Sequence, residues 1–142
     1  MDNPQILYTA EALATGDGRS GRAATPAGEI DVQLDVPQGM GGAGGTGTNP
    51  EQLFAAGFAA CFHSAVRVVG RRMKVDTSDS SVTAKVGIGR IEGGRYGLTV
   101  DLQVSMPAVE RETAEKLVEL AHEVCPYSNA TRGNIPVGLS LV

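Results

Sequence analysis

From Leu53 to Phe62 the chain runs Leu-Phe-Ala-Ala-Gly-Phe-Ala-Ala-Cys-Phe without one polar side chain, and no other stretch narrows its folding options as much. The flanks predict a helix with a defined start. Asn49 suits an N-cap, Pro50 the first helical position, and Gln52 the place where a capping box puts an amide. A helix that is apolar all round is expected to be buried on every side. Its small residues, Ala55, Ala56, Gly57, Ala59 and Ala60, let other backbones come close. The uncharged run is too short to span a bilayer, and His63, Ser64 and Arg67 interrupt its continuation. Inside this rod lies a thiol, Cys61. Whether it is packing or chemistry is the central question.

Around the helix, alternation supplies the rest of the fold. Ile6 to Ala14 and Arg22 to Thr25 read as strands separated by Gly16-Asp17-Gly18. Ile30, Val32, Leu34 and Val36 alternate with polar residues, so the first third predicts a three-stranded meander. After a polar turn at 76–81, Val82, Ala84, Val86 and Ile88 alternate, Gly93-Gly94 turns the chain, and Leu98, Val100, Leu102 and Val104 alternate back. This is a β-hairpin. Pro107 introduces an amphipathic helix with Ala114, Leu117, Leu120, Ala121 and Val124 on one face and Cys125 at its far end. Val137, Leu139 and Leu141 form a last strand. The chain of 142 residues is expected to be one α+β domain, 1–142. A helix buried on all sides is hard to cover with one such sheet, so a second copy of the chain is expected to complete the burial.

Composition excludes several functions. A net charge of −4 and a pI near 5.1 argue against nucleic acid or an anionic membrane as partner. The opening Met-Asp-Asn-Pro-Gln lacks the basic-then-apolar pattern of a secretory signal, which makes a cytoplasmic chain the default. Cys61 and Cys125 are too few for a disulfide scaffold and too far apart for a C-x-x-C motif. With two histidines and no ligand-spaced cluster, no metal site is expected. The loop Gly39 to Gly47 contains G-x-G-x-x-G between a strand and a helix, but its glycine content produces that spacing by default. Glu51 at the helix start would also oppose a pyrophosphate. A flexible connection is expected there.

Free cysteine often behaves as a small buried hydrophobe. Three features favour chemistry. Both thiols lie on helices that must pack on the same core. Each has an imidazole nearby, in Cys61-Phe-His63 and His122-x-x-Cys125, although only the i, i+3 pair shares a helix face. Arg19 stands in Gly-Asp-Gly-Arg-Ser-Gly, whose glycines can aim its side chain. Glu51 gains from the helix dipole, which alone explains it. On a straight helix it lies about 15 Å along the axis from Cys61 and roughly 80° around it. Any link between them must pass through a long side chain such as arginine.

The segments 47–64, Gly-Thr-Asn-Pro-Glu-Gln-Leu-Phe-Ala-Ala-Gly-Phe-Ala-Ala-Cys-Phe-His-Ser, and 125–134, Cys-Pro-Tyr-Ser-Asn-Ala-Thr-Arg-Gly-Asn, resemble the signature segments of the organic hydroperoxide resistance (Ohr) subfamily of OsmC-like proteins. The match extends to Tyr8-Thr-Ala and Gly18-Arg19 and covers essentially the whole chain. Departures are small: Phe58 where a tyrosine is common, Asp17 for a frequent glycine, Pro136 for a usual acidic residue. Asp17 adds a second carboxylate near Arg19. The resemblance implies an α+β, OsmC-like fold of about six mostly antiparallel strands and two principal helices, forming an intertwined homodimer. It implies a thiol peroxidase for organic hydroperoxides with no bound cofactor, reset by lipoamide or a lipoylated protein. By position Cys61 becomes the peroxidatic thiol, Cys125 the resolving one, Arg19 the cation beside the thiolate and Glu51 its ion-pair partner.

Peroxide cleavage needs a thiolate, and burial raises a thiol pKa, so a cation such as Arg19 is required. Phe54, Phe58, Phe62 and Met40 are expected as apolar walls favouring alkyl or lipid hydroperoxides. The rival readings are a Cys-His hydrolase, a non-catalytic redox sensor and a broader OsmC-type peroxidase.

Overall fold

A computed structural model describes residues 3–142. Its contacts fall into two compact units, one closing at Pro50 and the next opening at Glu51.

The first unit is an antiparallel meander of β1 (Leu13–Thr15), β2 (Arg22–Ala24) and β3 (Asp31–Gln33) in that spatial order. Ala23 stands opposite Ala14 on one side and Val32 on the other. Thr25 closes the second turn, donating its N–H to the Ile30 carbonyl at 2.8 Å while Gly28 donates to Thr25 at 3.0 Å. The strands are shorter than their sequence pattern predicts. The expected strand from Ile6 begins only at Leu13, and Ile6, Leu7 and Tyr8 are left 68, 94 and 83 % exposed. An extended segment becomes a strand only where another strand takes its hydrogen bonds, and β2 is three residues long. β3 likewise pairs over Asp31–Gln33, with Leu34 adding one parallel bridge to Thr48 before Pro37.

The glycine-rich loop is not slack. Gln38–Met40 make a 3-10 turn, Gly42 donates to Pro37 at 3.1 Å and Gly44 to Val36 at 3.0 Å. The Gly47 amide donates to Asp35 Oδ2 at 2.6 Å, and a Cβ at residue 45 or 47 would sit 2.5 or 2.6 Å from that oxygen. Glycine is needed there because the backbone wraps an internal carboxylate.

The second unit carries the main core. α1 (Pro50–Arg72) starts at Pro50 as its sequence predicts. β4 (Ser81–Ile91) and β5 (Arg95–Ser105) form the hairpin, with Val82, Ala84, Val86 and Ile88 directly opposite Val104, Leu102, Val100 and Leu98. α2 spans Arg111–Val124, a short α3 spans Pro126–Thr131, and β6 (Val137–Leu141) joins the far side of β5 in parallel. The chain is therefore α+β, six described strands in two three-stranded sheets with two long helices and one short one. Phe58, Phe62, Val66 and Val69 of α1 meet Val100, Leu102 and Val104 of β5 and Leu117, Val118 and Ala121 of α2 in one cluster. Val118 takes an inward place that the sequence pattern assigned to Val124, which is 38 % exposed.

Within a single chain α1 is not buried on every side. Its buried residues are Phe58, Phe62, Ala65, Val66, Val69 and Gly70, while Ala56 and Ala60 are exposed. The sheet and α2 cover one stripe of the helix, and alanine tolerates the uncovered side at low cost. Nor does length alone exclude a membrane span: the helix has 23 residues and an 18-residue window of mean hydropathy 1.5. What distinguishes it is the Phe58–Val69 stripe packed with β5 and α2, which makes it the core helix of this unit.

Candidate thiol site

Cys61 lies in the middle of α1 and is half-buried, while Cys125 is fully buried; both are free thiols. Their sulfurs, 64 residues apart in sequence, stand 3.6 Å apart, with Cys125 Sγ donating to Cys61 Sγ. Pro126 explains how Cys125 reaches this position. A residue before proline is pushed out of the helical region. Cys125 accordingly takes φ −64°, ψ 122°, ending α2 while its N–H still donates to Ala121 at 2.9 Å. Proline suits the first turn of a helix, so α3 begins at once, and the Asn129 N–H donates to the Cys125 carbonyl at 3.0 Å. The second thiol thus sits at a sharp joint between two helices.

Burial pushes the Cys61 thiol up from its ordinary value of 9.0, the backbone N–H of Tyr127 pulls it back, and the neighbouring Cys125 adds to the rise.

An aromatic corner adjoins the thiols. Tyr127 packs edge-on to Phe58 at 5.5 Å and tilted to Phe54 at 5.9 Å, and Phe54 meets Phe58 at 5.9 Å. A Cβ at Gly57 would lie 2.9 Å from Tyr127 Oη and 3.3 Å from two ring carbons, so the phenol rests directly on the helix backbone there. Phe58 and Phe62 are fully buried; Phe54 and Tyr127 keep some exposure. Gly57 is one of the small residues expected from sequence to admit a close approach, whereas the sequence pattern does not single out Tyr127 or α3, although Pro126 after a helical run is a usable start signal. Nor does it single out Ser128. It is fully buried, and its hydroxyl has no hydrogen-bond partner among the described residues.

Neither histidine engages a thiol. Ser80 Oγ donates to the Thr77 carbonyl at 2.6 Å, which leaves His63 Nε2 to donate to Ser80 Oγ at 3.0 Å. This binds His63 to the α1–β4 connection and weakens the hydrolase reading. The buried His122 Nδ1 has no partner among the described residues. Burial holds the His122 pKa below its ordinary 6.5, nearby Arg132 adds to the depression, and Glu123 opposes it.

In the first unit Arg19 occupies the 3-10 turn Gly18–Ser20, and its Nη1 points at Met40 Sδ, 4.0 Å away. Glu51 stands in the first turn of α1. Among the described residues no three His, Cys, Asp or Glu side chains cluster as a metal site.

The family described as OsmC-like protein matches residues 42–140. The organic hydroperoxide resistance protein of Xanthomonas axonopodis pv. citri is 50 % identical over 143 residues, covering 99 % of both chains. Among solved structures, an organic hydroperoxide resistance protein from Elizabethkingia anophelis superposes with a TM-score of 0.92 at 50 % identity, over 97 % of this chain and 98 % of that one. OhrB of Bacillus subtilis gives 0.89 at 43 % identity, over 96 % and 100 %.

Proposed function

This chain belongs to the OsmC-like proteins, in their organic hydroperoxide resistance branch, and from that membership and its paired thiols we propose that it is a cysteine-based peroxidase for organic hydroperoxides. Its cellular role is organic hydroperoxide resistance. The observation that carries the mechanism is the 3.6 Å separation of Cys61 and Cys125 Sγ.

The Cys61 thiolate attacks the distal peroxide oxygen, an S–O bond forms as the O–O bond breaks, and the alkoxide leaves as the alcohol. The resulting sulfenic acid is met by Cys125, whose sulfur forms the S–S bond and releases water. A lipoyl-type dithiol then reduces the disulfide through a mixed disulfide and is itself oxidised. Because burial holds the thiol protonated, a cation must favour the thiolate. Arg19 fills that role, with Glu51 as its ion-pair partner. The aromatic corner of Phe54, Phe58 and Tyr127, together with Phe62, favours alkyl or lipid hydroperoxides over hydrogen peroxide.

The working unit is a homodimer in the cytoplasm. The uncovered side of α1 and the exposed Ile6-Leu7-Tyr8 segment support a second copy, and a monomeric mass in sedimentation equilibrium at micromolar concentration would refute it.

The decisive experiment is steady-state consumption of an organic hydroperoxide against hydrogen peroxide, with lipoamide and with monothiols. Cys61→Ser is expected to abolish turnover. Cys125→Ser is expected to consume one hydroperoxide per subunit and then stall. Full activity of Cys61→Ser would overturn the scheme.

A further inference from the structure

The contact between Arg19 and Met40 is long for a hydrogen bond to sulfur, and its length is informative. Both residues sit in 3-10 turns, one at Gly18–Ser20 and the other at Gln38–Met40. Backbone bonds close them: Gly21 N–H to Gly18 at 2.9 Å, and Gly41 N–H to Gln38 at 2.9 Å. Across the gap the guanidinium Nη1 faces the thioether at 4.0 Å. A thioether is a weak acceptor, so this contact contributes little by itself. One oxygen atom added to the sulfur changes that. With an S–O bond of about 1.5 Å and a charge-assisted N–H···O distance of about 2.8 Å, a 4.0 Å S···N separation closes at an S–O···N angle of about 135°, a good acceptor geometry. The gap fits a sulfoxide without moving either turn.

The geometry points to Met40 as an oxidation site whose sulfoxide captures Arg19, making hydroperoxide excess a reversible brake on this protein. The oxidant is an organic hydroperoxide. The Met40 sulfur donates an electron pair to the distal oxygen and the O–O bond breaks. The hydroxyl proton passes to the departing alkoxide, leaving methionine sulfoxide and one alcohol. The sulfur is oxidised by two electrons and the peroxide reduced by two. The cation at 4.0 Å favours the product, because the sulfoxide oxygen carries the negative end of a strong dipole and the thioether does not. Charge-assisted hydrogen bonds are roughly twice as strong as neutral ones, so Arg19 is drawn to the new oxygen. Met40 is half-buried and within reach of a small hydroperoxide. Met73 has similar exposure and packs against the apolar core, whereas Met106 is buried, so Met73 is the internal comparison. The oxygen transfer stands on the Arg19–Met40 pair alone. Its braking effect rests on the reading above that gives Arg19 the Cys61 thiolate.

The test treats the full-length protein with graded excess tert-butyl hydroperoxide. It follows the gain of one oxygen at Met40 and at Met73 by peptide mass spectrometry, alongside the dithiol-dependent peroxidase rate. Met40 is expected to oxidise several-fold faster than Met73 in wild type and no faster than Met73 in Arg19→Ala. The wild-type rate should fall in step with Met40 sulfoxide and return after methionine sulfoxide reductase treatment. Met40→Leu should hold its own initial rate through the same exposure. Equal oxidation of Met40 and Met73 in wild type overturns the site. Sulfoxide accumulation without loss of rate, or the same decline in Met40→Leu, overturns the brake. Absence of any hydroperoxide consumption by fresh wild type refutes the peroxidase reading instead and leaves the Met40 oxidation measurement intact.

Discussion

Gly57→Ala separates two consequences of one methyl group. In a helix interior this exchange normally stabilises by about 0.5–1 kcal/mol, through backbone entropy. Here the new Cβ would lie 2.9 Å from Tyr127 Oη and 3.3 Å from two ring carbons, against an ordinary contact of 3.4–4 Å. The phenol tip must therefore retreat by about 0.5 Å, which in a close-packed corner weakens its ring contacts. Each aromatic pair is worth about 0.5–1.5 kcal/mol, so loosening one roughly cancels the helical gain. Global stability is expected to stay within about 1 kcal/mol of wild type. The thiol step is a different matter. Tyr127 is two residues from Cys125, and its backbone N–H acts on Cys61, so a displaced ring shifts the joint that sets the 3.6 Å sulfur separation. If about 1 kcal/mol of positioning is lost at the barrier, disulfide closure slows about fivefold. Rapid mixing with one equivalent of hydroperoxide measures this directly, with dimedone trapping the sulfenic acid and quenched mass analysis following the disulfide. Sulfenic acid formation is expected to slow less than closure, which should run about three- to tenfold below wild type. Adding Tyr127→Phe removes Oη, the nearest atom, and should recover much of the closure rate. A Gly57→Ala protein that folds normally and closes its disulfide as fast as wild type would refute the reasoning.

Three further outcomes follow from the same geometry. In Arg19→Ala, where no cation offsets burial, the raised Cys61 pKa means that the stability this thiol contributes is complete below its ordinary 9.0 and is lost as pH climbs through the raised value. Urea midpoints of that variant at pH 8 and pH 10 should show a decline that adding Cys61→Ala reduces. The depressed pKa of His122 works in the opposite direction: its contribution is complete above 6.5 and is lost as pH falls through the lower folded value. His122→Asn should flatten the acid side of the stability profile between pH 7 and pH 5, and an unchanged slope would refute that assignment. Leu117, fully buried between α1 and the sheet, should lose about 2–5 kcal/mol on Leu117→Ala, read from denaturant midpoints at unchanged m-value.

Local pattern alone carried much of the fold. The alternation at 82–88 and 98–104 specified the hairpin and even its register, because a one-residue slip would turn every apolar side chain outward. The proline at position 50 and the apolar run after it specified where α1 begins. The two signature segments identified the family, and with it Cys61 and Cys125 as the residues to follow. What pattern could not specify was everything that depends on which faces meet. Ile6 to Ala12 reads as strand but pairs with none of the described strands, and within a single chain α1 is covered on one stripe. The approach of two sulfurs 64 residues apart and the seat of Tyr127 on Gly57 belong to the same class. So does the 4.0 Å gap between Arg19 and Met40. Periodicity reports the geometry of one segment along its own axis. Distances between segments are set by helix crossing, by the sharp joint at Cys125-Pro126 and by side-chain packing, which exist only once the chain has folded.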